Sequence, residues 1–311
     1  MQTVKDFIWN ENMTVKSLVD SMGNVGFQSI ELSKAVDVII KMKKDGAKIF
    51  LTFTSNMVTS GLRGFFAQLI KLGLADIIVT TVGGLEEDIM KAHGEKFIIG
   101  DFNPDDVELY EKGTNRVGNL FIRNESYMKF EDTIGQLLSK LYKEKKNWPV
   151  SKLLNGIGKQ LDDENSILYQ AAQNKVPIFC PAITDGSFGF QLYLFQQKNK
   201  DFQVDVIKDF ANIMFSVSHD DKKGLISLGG SISKHHAILA GLLNGGMDYA
   251  VYLTTARATS GSMSGATTNE AKSWGKVKDD SDVVTVIGDV TITFPLIMIS
   301  VLDKLKEEKT L

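Results

Sequence analysis

Short apolar runs alternate with helical patterns along this chain, and this alternation constrains its fold more than any other feature. Residues 47–53 (AKIFLTF) form a mainly apolar run after a glycine, which is typical of a buried strand. Small polar residues follow at 54–56, and a helical pattern begins near residue 61. The order recurs at 75–88, where a short strand leads into a glycine pair and an acidic helix start. Because strands joined by such crossovers pair in parallel, the sequence predicts an open parallel sheet.

The same pattern continues to the end of the chain. Strands are predicted at Ala47–Phe53, Ala75–Thr80, Val176–Cys180, Gly224–Gly230, Asp248–Thr255 and Asp282–Ile287. Helices are predicted at Thr14–Met22, Ser29–Lys44, Gly61–Leu72, Phe130–Lys145, Ser151–Gln160, Glu164–Gln173, Phe202–Ser218, Ser231–Asn244 and Thr293–Lys306. Residues 94–128 are expected to be less regular.

We therefore predict an α/β fold with a single doubly wound, mostly parallel sheet and helices on both faces, a Rossmann-like arrangement in which ligands bind at the carboxyl ends of the strands. No obvious linker interrupts the chain. We expect one domain over residues 1–311, with an N-terminal segment at 1–28 and a core at 29–311.

Composition and charge exclude several classes of protein. The 311 residues are 43% hydrophobic and 23% charged, which is ordinary for a globular protein. A net charge of -3 gives no support for nucleic-acid binding. No apolar run reaches the roughly 20 residues of a membrane helix, and the first residues carry no apolar signal core. The single cysteine, Cys180, favours a reducing compartment, so we expect a cytoplasmic protein with no nucleic-acid or membrane partner.

A stretch near the C-terminus concentrates side chains that can carry chemistry. A run of small residues at 259–266 (TSGSMSGA) precedes Glu270, Trp274 and Lys276. Small residues let a backbone come close to a ligand. A carboxylate can hold an ammonium group, an indole face can bind a cation, and a deprotonated lysine is a nucleophile. From residue type alone, a solvated lysine and a packing tryptophan are the commoner explanations, so both interpretations stay open here.

Residues at other predicted strand ends suggest a nucleotide site. Asp185 and Asp289 follow strands, where a carboxylate can hold ribose hydroxyls, although neither a three-glycine fingerprint nor a P-loop is present. His235 and His236 begin a helix after a glycine pair, and one of them could be an acid–base group. Adjacent histidines make a poor metal pair, and no Cys/His cluster has zinc spacing, so no metal is expected.

Several long blocks of the sequence, in order, resemble the deoxyhypusine synthase family. They are Thr54–Gly61 (TSNMVTSG), Thr80–Asp88 (TTVGGLEED), Asn124–Tyr127 with Lys129–Asp132, Pro181–Ser187 (PAITDGS), Gly229–Gly230 with Lys234–His236, and Glu270 with Ser273–Lys276. No single block is decisive. Their joint occurrence between about residues 26 and 302 identifies the chain as an archaeal-type or divergent member of that family.

The resemblance implies an aminobutyl transferase that depends on NAD. In this family spermidine is oxidised, its aminopropyl part is released, and the aminobutyl group passes through an imine on an enzyme lysine to a lysine of the translation factor 5A precursor. The product imine is then reduced by the NADH that is still bound. The resemblance also implies a homotetramer built as a dimer of dimers.

Residue by residue, the resemblance implies roles for particular side chains. Lys276 matches the imine-forming lysine, and His235 matches a catalytic histidine at the polyamine. The residues implied to bind the amine are Glu86, Glu87, Glu270, Trp274 and Gly275. The residues implied to surround NAD are Ser55, Asn56, Thr59, Thr81, Gly83, Asp185, Thr255, Ala256, Gly261, Ser262 and Asp289.

The chain departs from the better-known eukaryotic pattern at Phe190, Ser260 and Met263, where that pattern has aspartates. Carboxylates are therefore missing where ammonium groups should bind. This leaves a paralogue as an alternative, one that transfers the aminobutyl group to a small amine, as in homospermidine synthesis, or uses a different polyamine. A further alternative is a catalytically silent NAD-binding scaffold, against which the presence of Lys276 and His235 argues.

Overall fold

The computed structural model describes residues 3–311. The helices are α1 (Val15–Met22), α2 (Gln28–Lys44), α3 (Asn56–Thr59), α4 (Arg63–Lys71), α5 (Val82–Ala92), α6 (Asp106–Glu111), α7 (Asn124–Glu144), α8 (Val150–Gly158), α9 (Ile167–Gln173), α10 (Ser187–Lys198), α11 (Val206–Met214), α12 (Ser231–Leu243), α13 (Thr268–Ser273) and α14 (Val290–Glu307). The strands are β1 (Lys48–Phe53), β2 (Ile77–Thr80), β3 (Ile98–Ile99), β4 (Thr114–Val117), β5 (Leu120–Arg123), β6 (Asn147–Pro149), β7 (Ile178–Phe179), β8 (Gln203–Asp205), β9 (Lys223–Leu228), β10 (Met247–Thr254) and β11 (Val277–Ile287).

The chain divides into two compact units. The first contains the residues up to Phe53 together with Leu74–Val79 and Ile213–Leu311. The second contains Thr54–Gly73 and Thr80–Asn212. Compact units need not be separate domains, so the hypothesis of one domain over residues 1–311, with its segment 1–28 and core 29–311, stays a prediction.

The first unit is built on a parallel sheet in which the strands follow the order β11-β10-β9-β1-β2. The pairs β1–β9, β9–β10 and β10–β11 are all parallel. From β1 the chain moves outward to β2 on one side and to β9, β10 and β11 on the other, which is the doubly wound arrangement. Residues 49–53 of β1 and all of β9 are buried, as expected for strands covered on both faces. The predicted fold class is therefore confirmed.

Helices flank this sheet. α2 contacts β1, β9, β10 and β11, while α14 packs against β10 and also against α1 and α2. α12 contacts β1 and β9. The helix α14 begins at Val290, three residues before the predicted start at Thr293, and the Asp289 carboxylate caps it by accepting a hydrogen bond from the backbone N–H of Thr291 at 2.8 Å. Its buried side chains include Phe294, Ile297 and Val301, which recur at helical spacing.

The second unit is mainly helical. α4 and α8 pack on α9, and α5 packs on α7 and α10. Phe130 of α7 and Phe188 of α10 meet edge to face, with ring centres 6.2 Å apart. The strands of this unit form a small antiparallel sheet of order β3-β5-β4 and a parallel pair of β6 and β8, and the short strand β7 also belongs to it.

Several predicted boundaries were wrong. Residues 94–128, expected to be irregular, contain β3, α6, β4, β5 and the start of α7. The predicted helix Phe202–Ser218 is divided into β8 and α11. Helix α5 starts at Val82, so Gly83 lies within its first turn. A glycine is needed there because an added Cβ would lie 2.9 Å from the Cβ of Ser55. Helices α3, α10 and α13 were not predicted.

Candidate active site

A cavity of about 230 Å³ lies within the first unit. Its wall is formed by α12, by Tyr252 of β10, by the loop after β10, and by α13 with the residues that follow it. The lining residues are Lys234, His235, Ile238, Tyr252, Met263, Ala266, Thr267, Glu270, Ala271, Trp274 and Lys276. The structure therefore brings together Lys276, His235, Glu270 and Trp274, which are four of the residues singled out from the sequence.

Glycines in and beside the small-residue run allow the loop after β10 to fold closely. A Cβ at Gly230, just before α12, would lie 2.3 Å from the Cα of Ser264. A Cβ at Gly265 would lie 2.2 Å from the carbonyl oxygen of Arg257. Real side chains do not approach this closely, so glycine is required at both positions for the loop to reach α12.

The short helix α13 and the turn after it place Trp274 and Lys276 on the same cavity. Thr267 caps the helix by accepting a hydrogen bond from the N–H of Glu270 at 3.3 Å. Gly275 has φ +66°, a left-handed conformation that favours glycine and reverses the chain. The carbonyl of Lys276 then accepts a bond from the N–H of Met247, at the start of β10. Gly275 does not line the cavity, so its implied amine contact stays a prediction.

The side chain of Lys276 is enclosed and faces an aromatic ring. Only 7% of the residue is exposed. Its Nζ lies 4.9 Å from the centre of the Trp274 ring, and the ring itself is 63% exposed. Glu270 is exposed at the same cavity. An amine that enters this space meets a carboxylate, an aromatic face and a lysine.

Lys234 is a second cavity lysine to which the sequence analysis assigned no role. It is 1% exposed, and its Nζ donates hydrogen bonds to the carbonyls of Met263 and Ala266 at 3.1 and 2.8 Å. The same Nζ lies 3.8 Å from the centre of the Tyr252 ring. Burial, followed by the charge of Lys276, lowers the pKa of Lys234 to about 8, although Glu270 acts in the opposite direction.

The two adjacent histidines differ in their surroundings, as the sequence suggested. His235 lines the cavity, and burial together with the neighbouring charge of Lys276 lowers its pKa. It is therefore a neutral base at neutral pH. His236 does not line the cavity, and burial lowers its pKa to about 4, with a smaller effect from His235.

In the second unit, two consecutive carboxylates of α5 are buried but differ in their hydrogen bonds. Glu86 accepts a bond from the N–H of Phe188 at 2.8 Å, which holds the start of α10. Glu87 accepts a bond from the Thr59 hydroxyl at 2.8 Å, and its Oε2 has no hydrogen-bond partner. Burial raises the pKa of Glu86 and raises that of Glu87 to about 7. Glu87 therefore keeps one buried oxygen without a hydrogen-bond partner.

Several of the residues implied to bind NAD cluster at the start of α5 in the second unit. The N–H of Ser55 donates to the Thr81 hydroxyl at 2.9 Å, and Gly83 packs on Ser55. Thr81 precedes α5 without capping it through its side chain, so the first-turn N–H groups have no side-chain cap. Such a helix start suits a phosphate. Asn56 is exposed beside these residues along the chain, whereas Thr59 is buried against Glu87.

The remaining residues implied to bind NAD follow strands. In the second unit, Asp185 is exposed between β7 and α10. In the first unit, Thr254 pairs with Ile287, so the ends of β10 and β11 lie side by side. The first-unit residues that follow these strands are Thr255, Ala256, Gly261, Ser262 and Asp289, all exposed except Ala256, which is half-buried. Exposed strand-end carboxylates suit ribose hydroxyls, so the residues of each unit, taken separately, fit a part of a dinucleotide.

The three positions that depart from the eukaryotic pattern have different surroundings. Met263 lines the cavity. Ser260 is exposed on a 3₁₀ turn at Ala258–Ser260. Phe190 lies on α10 in the second unit, is 54% exposed, and stacks on Tyr193 with ring centres 6.3 Å apart. Only Met263 therefore bears directly on the cavity that contains Lys276.

Within residues 3–311, no group of three or more His, Cys, Asp or Glu side chains could hold a metal ion. In the same range, no helix has the length and apolar character needed to cross a membrane.

The fold and cavity define an α/β protein with a lysine-centred pocket. The family model "Deoxyhypusine synthase" matches residues 17–301, and the chain belongs to the deoxyhypusine synthase family, which consists of transferases. A "Probable deoxyhypusine synthase" of Schizosaccharomyces pombe is 40% identical, covering 92% of this chain and 86% of its own. A relative of the same name from Thermoplasma volcanium is 40% identical, and the match covers 95% of this chain and 96% of the relative.

A solved structure agrees with this assignment. A crystal structure from Entamoeba histolytica that bears the same family name superposes with a TM-score of 0.68 at 27% identity, covering 96% of this chain and 97% of its own. These relatives favour deoxyhypusine synthesis over the homospermidine alternative.

Proposed function

We propose that this protein transfers the aminobutyl group of spermidine to a lysine of the translation factor 5A precursor, through an imine on Lys276. The observation that carries the proposal is the placement of Lys276, which is enclosed, faces the Trp274 ring and shares its cavity with His235 and Glu270. A surface lysine in water would have none of these partners.

Binding of the amine is assigned to complementary charge and to an aromatic face. The Glu270 carboxylate pairs with an ammonium group of the bound amine. The exposed Trp274 ring packs against the alkyl chain of the amine or against the ammonium group itself. Such a cation–π contact contributes about 0.5–2 kcal/mol. The free oxygen of Glu87 is proposed as a further amine contact, while Glu86 supports α10.

We assign the transfer to two successive amine exchanges at the same carbon of the aminobutyl group, first onto Lys276 and then onto the lysine of the factor. The Lys276 Nζ attacks the oxidised carbon of spermidine through its lone pair and forms a C–N bond. The bond to the aminopropyl nitrogen then breaks, and 1,3-diaminopropane leaves with a proton. The lysine of the factor displaces Lys276 in the same way. Neutral His235 accepts the proton that the attacking amine loses and returns it to the departing amine.

NAD is proposed as the resident cofactor, and when bound it supplies the hydride acceptor for the first step and the hydride donor for the last. The proposed holders are the uncapped start of α5 for phosphate and the exposed carboxylates of Asp185 and Asp289 for ribose hydroxyls. The close packing of Gly83 on Ser55 supports this assignment, because a larger residue would displace the loop before α5.

Assembly and location complete the proposal. We propose a homotetramer, built as a dimer of dimers, and a cytoplasmic location, and the family resemblance supports both. The single cysteine, which is buried and free, suits a reducing compartment.

The proposal is tested with purified protein, NAD and radiolabelled spermidine, with and without the precursor factor. We expect label on the factor with the natural sequence and with Lys272→Ala, a matched lysine change four positions earlier. Lys276→Ala is expected to abolish transfer. Label that is trapped on Lys276 but never passed to the factor would support a small-amine acceptor instead. No label on protein or factor, with NAD bound, would contradict the proposal.

A further inference from the structure

Another cavity, of about 330 Å³, lies in the second unit and is lined by α8, the end of α9 and the segment that leads into β7. Three lysines line it: Lys152 and Lys159 of the α8 region, and Lys175 after α9. None of the described residues that line it is an aspartate or a glutamate. This basic cavity therefore concentrates positive charge in an enclosed space.

The charges of the three lysines are not balanced by ion pairs. Within residues 3–311, none of them pairs with a carboxylate, whereas Lys71 of the same unit pairs with Glu164. The buried Asp209 carboxylate accepts hydrogen bonds from the N–H and the hydroxyl of Ser151. Burial raises the pKa of Asp209, and the charge of Lys152 has a smaller effect in the opposite direction. The basic cavity is therefore short of negative charge.

Two side-chain amides add hydrogen-bond donors to this cavity. They belong to Asn155 of α8 and Gln173 at the end of α9, and neither has a side-chain hydrogen bond to another described residue. Amide N–H groups donate to the oxygens of an anion. The apolar side chains of Ala172, Val176 and Pro177 complete the described lining, and they offer no competing acceptor.

Lys175 occupies a backbone position that favours glycine. Helix α9 ends at Gln173, and the N–H of Val176 donates to the carbonyl of Ala171 at 2.9 Å, as in a Schellman turn. Lys175 lies in this turn with φ +59°, a left-handed conformation that disfavours any side chain. The turn itself would form more readily with glycine, so the lysine is explained by the ammonium group that it adds to the cavity.

From this arrangement we infer that the basic cavity binds a phosphate group, either of a free inorganic phosphate or of a nucleotide. Three ammonium groups suit a compact anion with more than one negative charge, and the two amides suit its oxygens. This site differs from the one proposed for NAD, because Lys175 precedes β7 whereas Asp185 follows it. The inference goes beyond the proposed function and does not depend on it.

Calorimetric titration of pyrophosphate into the purified protein tests the inference. NAD is present throughout, so that the proposed cofactor site is filled. We expect saturable binding to the natural sequence and binding that is weaker by about tenfold or more after Lys159→Gln. The matched control is Lys140→Gln, which removes an exposed lysine of α7 outside the cavity and should bind pyrophosphate as the natural sequence does.

A second variant, Lys175→Gly, separates binding from folding. Glycine suits the left-handed turn, so the urea midpoint of this variant should be no lower than that of the natural sequence. Its binding of pyrophosphate should nevertheless fall by about tenfold or more. Pyrophosphate should accordingly raise the urea midpoint of the natural sequence and of Lys140→Gln, but not that of Lys175→Gly.

Titrations with ADP and with tetraglutamate identify the source of the anion. Binding of ADP at least as tight as that of pyrophosphate would assign the site to a nucleotide, and weaker binding would assign it to a free inorganic anion; both support the inference. Tighter binding of tetraglutamate would overturn it in favour of an acidic peptide. No saturable binding of pyrophosphate, or equal weakening by Lys140→Gln and the two cavity variants, would also overturn it.

Discussion

At the scale of single residues, neighbouring side chains of one type acquire different properties from their surroundings. Glu86 and Glu87 are consecutive and both buried in the second unit. One oxygen of Glu86 is used by a backbone N–H of α10, whereas Glu87 retains an oxygen without a partner. Burial dominates both pKa values, so these carboxylates favour their protonated forms more than exposed ones do.

Glu87 therefore makes stability depend on pH. Its carboxyl has an ordinary pKa of 4.5 in the unfolded chain and a pKa of about 7 in the folded protein. Between these values the folded state binds more protons, so the free energy of unfolding falls as pH rises through this window. Relative to the natural sequence, Glu87→Gln should gain about 3 kcal/mol between pH 5 and pH 8.

Urea unfolding at the two pH values measures this difference. Glu131→Gln, which changes an exposed glutamate, serves as the matched control and should show no such gain. If Glu87→Gln and the natural sequence have parallel pH profiles, Glu87 ionises in the folded protein as it does in water.

The candidate site could be predicted from sequence only where motifs carried it. The blocks around His235 and Glu270–Lys276 named four residues that the structure brings to one cavity. Lys234 lies in the same motif, but its position depends on carbonyls of Met263 and Ala266, about 30 positions later. No local pattern predicts such a long-range contact.

At the scale of elements, Asp88 joins three helices of the second unit. It lies on α5 and pairs with Arg63 of α4 through a 2.5 Å contact. It also accepts bonds from the Ser166 hydroxyl and from the N–H groups of Ile167 and Leu168, at the start of α9. This carboxylate thus serves as an ion-pair partner and as a helix cap.

Replacing Asp88 should therefore be costly. Asp88→Ala removes one of the two carboxylates that pair with the buried Arg63 guanidinium, the other being Asp163. It also leaves the first N–H groups of α9 without this acceptor, and we expect a loss of about 3 kcal/mol of unfolding free energy. The control is Glu164→Ala, which breaks an exposed pair with Lys71 and should cost less than about 1 kcal/mol. Urea unfolding compares the two. Equal losses would show that the buried network contributes no more than a surface pair.

Long elements were predicted better than short ones, for physical reasons. The buried strands β1, β9 and β10 each contain a run of apolar residues that marks a strand. Helix α13 spans only six residues, too few to show a helical period. Strand β11 starts at Val277 rather than at the predicted Asp282. The early start was missed because the first residues of the strand are mainly polar and their pairing with β10 is irregular before Tyr249.

At the scale of the whole molecule, the sheet was predictable but the division into two units was not. Alternating strands and helices sufficed for the parallel, doubly wound arrangement. The second unit, however, is formed from segments that follow β1 and β2, and no change of composition marks its boundaries.

Large apolar side chains remain exposed on this chain. They include Phe27, which is 96% exposed, and Ile99, Tyr110 and Phe215, which are also largely exposed. Exposed apolar groups of this size mark interaction surfaces when they are contiguous. They are consistent with the proposed homotetramer.

Light scattering behind size exclusion tests the assembly. The expected mass is about four times the chain mass of 34.4 kDa, unchanged on dilution over the range in which activity is measured. A monomer at all concentrations would contradict the proposed assembly and would leave the exposed residues without a partner.

The most direct test of the account is to locate the covalent intermediate. The protein is incubated with NAD and spermidine without the factor, reduced with borohydride, digested, and its peptides are weighed by mass spectrometry. We predict an aminobutyl adduct on Lys276 and none on Lys234, whose Nζ is held by two carbonyls. An adduct on Lys234, or an unmodified Lys276, would contradict it.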